Sequence, residues 1–114
     1  MDDKVLDYMR ALIIKSVGRA RSGHPGGALS GLDFTYLLYS EYLSFDPDCD
    51  KWFGRDRFVL SAGHMSILQY VILRAVGWLS DKDLMDFRKL YSKTPGHPEV
   101  NHTRGIECTT GPLG

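Results

Sequence analysis

Residues 57–76, "RFVLSAGHMSILQYVILRAV", decide how the rest of the chain is read. The stretch opens on "RFVLS", a short run with a continuous apolar middle. Runs of that kind are expected of a strand buried in a parallel sheet. "AGH" then turns the chain, and a helix is expected over about residues 65–76. In that helix only Ser66, Gln69 and Arg74 are clearly polar. A strand that turns at glycine into a helix is the unit of open α/β sheets, where ligands bind at the carboxyl ends of the strands. The expected fold class is therefore α/β, helix-rich, with at least one parallel-type strand near 57–61. A helix apolar nearly all round belongs inside a larger body. This one is expected to need neighbours beyond those the chain supplies.

Outward from that stretch the helices follow from periodicity. Leu6, Met9, Leu12, Ile13, Val17 and Ala20 recur at helical spacing, which predicts a first helix over about residues 3–20. Acids near its start and Arg19 and Arg21 near its end suit the helix dipole. "SGHPGG" is read as its break. A second helix is expected over about residues 29–43, with Leu32, Tyr36, Leu37 and Leu43 inward. Ser80 caps a fourth, "DKDLMDFRKLY", with Leu84, Phe87 and Leu90 or Tyr91 inward. From Ser92 onward proline, glycine, threonine and histidine leave no clear helix.

Composition excludes several classes. Fourteen basic and 14 acidic residues give a formal charge of zero, with no basic stripe, so nucleic acid is not an expected partner. Cys49 and Cys108 lie far apart and outside any C-x-x-C pair, which points to two free thiols in a reducing compartment. No signal peptide and no long apolar stretch stand out, so no membrane partner is expected and the expected location is cytoplasmic. Asp46, Asp48 and Asp50 start like a calcium loop, but Lys51 and Arg57 occupy the places of its glycine and glutamate. Arg55, Asp56 and Arg57 read as a salt-bridging cluster. Tyr36, Tyr39, Tyr42 and Phe45 read as core or interface.

The histidines carry the chemical signal. Three of the four follow a glycine: His24 in "SGHPGG", His64 in "SAGHMS" and His97 in "TPGHPE". Glycine is 12 of 114 residues, so composition makes each such event about a one-in-ten occurrence. His24 and His97 also precede proline, which pushes them off the α region onto loop backbone. His64 follows the expected strand and precedes a helix, whose free N–H groups favour phosphate. Its imidazole can donate to a phosphate oxygen. The chain closes on "ECTTGPLG", where Pro112 suits the first turn of a helix, Thr109 or Thr110 its cap, and Gly111 close approach to a ligand. A single Gly-His or His-Pro is more often a turn than a ligand. The residues by themselves leave both a set of turns and a phosphate-bearing ligand open.

The motifs "SGHPGG", "DRFVLSAGH", "FRKLYSKTPGHPE" and "GIECTTGPLG" occur in the order and spacing of the transketolases. From Arg21 onward the chain resembles the N-terminal part of that thiamine-diphosphate-dependent family. "SKTPGHPE" with "TTGPLG" distinguishes it from deoxyxylulose-phosphate synthase. The resemblance implies a transferase of the pentose phosphate pathway. Such enzymes move a two-carbon ketol unit from a ketose phosphate to an aldose phosphate and form homodimers. It implies catalytic roles near the substrate for His24 and His97. It implies cofactor contact for His64, on the diphosphate, and for Gly111, Pro112 and Leu113. Thiamine diphosphate and Mg2+ are the implied cofactors. The family's Gly-Asp-Gly metal motif and its activating glutamate are absent, so no metal ligand is expected here. Residues 1–114 then read as a partial cofactor-binding domain, truncated at its C-terminal end and inactive alone. A non-catalytic remnant of a broken transketolase gene is the alternative expectation.

Overall fold

The computed structural model describes residues 2–111. Helix α1 spans Asp3–Ala20, as its periodicity predicts. Asp2 starts it, its carboxylate accepting from the N–H of Lys4 at 3.0 Å and of Val5 at 3.4 Å. Those are donors that a first turn otherwise leaves unpaired. Arg21 ends the helix in the left-handed region at φ 53°. One stripe, with Leu6, Met9 and Ile13, is buried.

Helix α2 spans Pro25–Leu37 and so begins four residues before the expected start. "HPGG" opens this helix instead of lying in a break. Proline at the first helical position has a suitable φ and gives up an N–H that would be unpaired anyway. Gly27 has a packing reason: a Cβ there would lie 2.9 Å from the Met65 side chain. Beyond Leu37 the helix widens into one turn, Leu38–Tyr42. There the Leu43 N–H reaches the Leu38 carbonyl, five residues back, at 2.8 Å.

A tight turn, Gly63–Met65, leads into α3, Ser66–Val76, which Gly77 ends at φ 101°. Every residue from Ser66 to Leu73 is buried. The expectation that α3 needs neighbours from elsewhere is corrected. α1 and α2 pack on it and on each other, and Leu84 and Phe87 join the same core. Only its last turn, from Arg74 on, emerges.

Helix α4 is short, Asp81–Met85, with Ser80 and Asp83 forming a reciprocal capping box. It does not continue to Tyr91. Leu84 and Phe87 are buried as expected, but Leu90 is 83% and Tyr91 91% exposed. Arg88 sits at φ 66° and Tyr91 at φ 64°, which no α-helix accommodates. The Arg88 N–H turns instead to the Thr94 carbonyl at 2.9 Å.

The expected strand at 57–61 is also corrected. No strand forms among the described residues, whose sole β pairing is an isolated bridge between Asp46 and Cys49. A strand exists through a neighbour's ladder, and no described segment supplies one. Leu60 is buried there while Val59 is 48% exposed. Arg55, Asp56 and Arg57 form no ion pair with one another, although the Arg57 guanidinium donates to the Arg55 carbonyl. Asp56 accepts from the Ser44 N–H at 2.7 Å, and Arg57 donates to the Phe53 carbonyl at 3.0 Å. No helix among the described residues is long and apolar enough to cross a membrane. Cys49 and Cys108 are exposed free thiols.

Candidate functional site

The N-terminal ends of α2 and α3 meet. His24 is the N-cap of α2 at φ −126° and ψ 86°, off the α region as the following proline requires. Its side chain makes no capping bond. His64 is the middle residue of the turn that leads into α3. The two rings meet edge to face, with centroids 5.4 Å apart and planes at 78°. Gly27, with no side chain between α2 and Met65, permits this approach. His24 was expected on a loop, in contrast to His64 at a helix start. In fact both imidazoles stand where helix N–H groups and the dipole favour negative charge.

The third histidine arrives through the chain's last described segment. A Cβ on Gly63 would lie 2.7 Å from the Gly111 nitrogen and 2.7 Å from the Thr110 carbonyl carbon. The backbone of 110–111 therefore lies flat against the His64 turn, in contact that a side chain at 63 would abolish. On its other side, a Cβ on Gly111 would face the Cβ and Cγ of His97 at 3.6 Å. The structure thus brings His24 and His64 into ring contact and joins His97 to them through Gly111. Pro112 and Leu113 lie outside the described residues. So does the helix that Thr109 or Thr110 was expected to cap.

Two features of this segment bear on a ligand. Thr109 is occupied, its Oγ1 accepting from the Val100 N–H at 2.9 Å. The Thr110 Oγ1 is buried and has no partner among the described residues. An unpaired buried hydroxyl is costly, and here it lies in the strip between Gly63 and His97. A group rich in acceptor oxygens would satisfy it, so the residues present fit a diphosphate. They do not fit a metal cage: among the described residues no three His, Cys, Asp or Glu side chains gather.

Side chains that the sequence reading left unassigned hold these parts in place. Ser66 Oγ donates to the Gly96 carbonyl at 2.7 Å, and the Tyr70 hydroxyl donates to the Pro95 carbonyl at 2.6 Å. The available signal was two hydroxyls four residues apart on a helix whose other polar residues are Gln69 and Arg74. Arg55 grips Glu107 with two bonds, at 2.8 and 2.9 Å, with side chains 12% and 17% exposed. Direct hydrogen bonding from Arg55 holds the Glu107 carboxyl below its ordinary range, against the opposing effect of burial. No sequence signal marks a pair 52 residues apart. The fourth histidine, His102, bonds the Ser92 carbonyl through Nε2 at 2.7 Å, a structural use. An apolar groove of about 290 Å³ lined by Met9, Tyr36, Tyr39 and Phe45 has none of the glycine-linked histidines in its walls.

Imidazoles at two helix starts, a buried hydroxyl without a partner among the described residues and close-lying glycine backbone form a cluster with the donors to accept an anion and with groups able to carry a proton. Comparison with known proteins names its family. Residues 1–114 match the family described as transketolase, thiamine diphosphate binding domain. The Staphylococcus aureus (strain MW2) transketolase is 49% identical over 113 residues, 99% of this chain and 17% of that protein. A solved transketolase from Leishmania mexicana superposes with a TM-score of 0.92 at 42% identity, over 97% of this chain and 17% of that one. A Pichia stipitis transketolase solved with sedoheptulose-7-phosphate gives 0.83 at 43% identity, over 97% of this chain and 16% of that one. The chain belongs to the transketolase thiamine-diphosphate-binding domain family. It spans about 17% of the length of the curated relatives it matches.

Proposed function

We propose that this chain forms the diphosphate-side wall of a transketolase active site. The whole protein transfers a two-carbon ketol unit between sugar phosphates. The observation that carries the reading is the contact of Gly63 with the backbone of 110–111, which draws His64, Thr110 and His97 to one place. Match to the family over the whole chain, at 49% identity to one member, favours this over a decayed remnant. His64 and the backbone of Gly111, Pro112 and Leu113 hold the cofactor, and His64 donates to its diphosphate. His24 and His97 face the substrate and move protons at its hydroxyl and carbonyl oxygens near neutral pH. Bound there, thiamine diphosphate supplies the electron sink for breaking and remaking a carbon–carbon bond. Ketose and aldose phosphates are the proposed substrates, and Mg2+ the proposed metal, ligated by residues outside this chain. A homodimer and a cytoplasmic location complete the proposal.

The test is a chimera in which this chain replaces the matching segment of the Staphylococcus aureus transketolase. His64→Ala is expected to weaken thiamine diphosphate binding, since one charge-assisted hydrogen bond contributes roughly 1.5–3 kcal/mol. His24→Ala and His97→Ala are expected to keep cofactor affinity and slow ketol transfer from xylulose 5-phosphate by about 10²–10⁴-fold. Wild-type transfer rates in both variants at saturating cofactor would remove them from the reacting centre.

A further inference from the structure

The loop that carries His97, "TPGHP" at 94–98, has two prolines in five residues and no regular backbone pairing of its own. Proline contributes no N–H, so the loop is poor in donors, yet four of its carbonyls are bonded. Thr94 accepts from the Arg88 N–H at 2.9 Å and Pro98 from the Thr110 N–H at 3.2 Å. Between them, Pro95 accepts from the Tyr70 hydroxyl and Gly96 from Ser66 Oγ, at 2.6 and 2.7 Å. Ser66 and Tyr70 are one helical turn apart on one face of α3. Both are 0% exposed, so neither hydroxyl can exchange its carbonyl for water. Ser66 also lies two residues beyond His64, on the helix that the His64 turn begins.

We propose that Ser66 and Tyr70 are positioning residues. Their hydroxyls hold the carbonyls of Pro95 and Gly96, and so fix His97 in register with His64 on a common helix. α3 is buried along its length from Ser66 to Leu73, and the two bonds tie the middle of the loop, between its backbone-bonded ends, to that helix. Burial, reinforced by the charge of Glu99, keeps the Tyr70 hydroxyl protonated well above the ordinary phenol range, so it remains a donor at every working pH. The consequence for catalysis rests on the role of His97 proposed above; the positioning itself does not.

The test uses this chain with 13C,15N-labelled histidine, comparing the imidazole resonances of wild type and variants at one fixed pH. His97→Gln assigns the His97 signal. Tyr70→Phe keeps the ring and removes only the O–H, and Ser66→Ala removes the other donor. Each is expected to keep a cooperative melt. Each is also expected to shift or broaden the His97 resonances, because those resonances read the ring's position against Gly111 and its other neighbours. His102, held separately on Ser92, is expected to stay unchanged. Unmoved His97 signals in both folded variants would overturn the proposal. Equal movement of His102 would overturn it as a general loosening. Loss of the cooperative melt in both would also overturn it, since the hydroxyls would then hold the fold and not the loop. None of these readouts requires ketol transfer, so a failed chimera and a failed positioning role remain distinguishable.

Discussion

In the bundle of α1, α2 and α3, residues such as Ile13, Leu32 and Leu73 are 0% exposed and share one apolar core. In the run 86–111 the buried residues include Thr94 and Thr103, and their hydroxyls each bond a carbonyl at 2.6 Å, Thr94 to Asp83 and Thr103 to Lys93. One half is held by area removed from water; the other adds only Phe87 and Ile106 to that core and is otherwise tied by directional bonds between hydroxyls and backbone. Apolar contact tolerates small adjustments in register. A hydroxyl-to-carbonyl bond sets a distance. The half that must present His97 and Gly111 at a defined place is built with the second kind of link.

The sharpest way to break this comparison is inside α3. Leu68→Ala removes a side chain that is 1% exposed and lies in the common core. A loss of about 2–5 kcal/mol is expected, combining lost burial with the cavity left behind. Urea unfolding of the chain measures it. A loss below about 1 kcal/mol would mean that the bundle is not the stabilising half.

The next largest effect is expected at the seam between the halves. Gly63→Ala places a methyl 2.7 Å from the backbone of 110–111, which cannot rotate away. Forced overpacking of this kind costs about 1–3 kcal/mol. Gly27→Ala is the control, because its methyl meets only the flexible thioether side chain of Met65. It is therefore expected to cost less in the same unfolding experiment. Equal losses at the two positions would show that the 110–111 strip yields as easily as a side chain.

The same division explains what could be read from the sequence. α1 was legible from Leu6, Met9 and Ile13 because burial on one helix face leaves a period of 3.6. Of the three Gly-His turns, the one at His64 has a backbone reason for its glycine, since a Cβ on Gly63 would meet the backbone of 110–111, whereas Gly23 and Gly96 face the side chains of Val17, Phe87 and Arg88. The start of α2 was missed because "HPGG" is punctuation in most contexts; a proline at N1 and a glycine against Met65 reverse that reading. The burial of α3 by its own chain was missed because an all-apolar helix reports that it is covered, not by what. Ser66 and Tyr70 stand one helical turn apart on α3, but which carbonyls they bond, 30 and 25 residues away, leaves no local pattern, and neither does the Arg55–Glu107 pair, 52 residues apart.

The Arg55–Glu107 pair ties the loop before α3 to the segment that leads into the site, and it sharpens the comparison through pH. The folded-state pKa of Glu107 is depressed by Arg55. Its contribution is therefore present above the ordinary glutamate value, about 4.3, and is lost as pH falls through the lower folded value. Glu107→Gln is expected to be less stable than wild type at neutral pH, with the difference shrinking below about pH 4. Asp86 is held low in the same way by Lys82 and Lys89, so wild type loses stability in acid for more than one reason. The difference between the two melting profiles isolates Glu107. A gap that stays constant from pH 7 to pH 3 would show that the pair acts by shape and not by charge.

The smallest effect is expected at Leu90, where periodicity and structure disagree most directly. A helix continued from Ser80 would carry Leu84, Phe87 and Leu90 or Tyr91 on one face, and burying Leu90 there would contribute roughly 1.5–3 kcal/mol. The structure ends α4 at Met85 and leaves Leu90 83% exposed between two left-handed residues, Arg88 and Tyr91. Those two conformations are costly for residues with a Cβ. They persist because the turn they make delivers the Arg88 N–H to Thr94 and starts the bonded His97 loop. Leu90→Ser is therefore expected to change stability by no more than about 0.5 kcal/mol, as for an ordinary surface site. Leu84→Ser, at a position 2% exposed on α4 itself, serves as the contrasting variant and is expected to be strongly destabilising. If Leu90→Ser instead cost as much as Leu84→Ser in urea unfolding, α4 would run on to Leu90 in solution. The hydroxyl-held half would then begin later than the turn at Arg88.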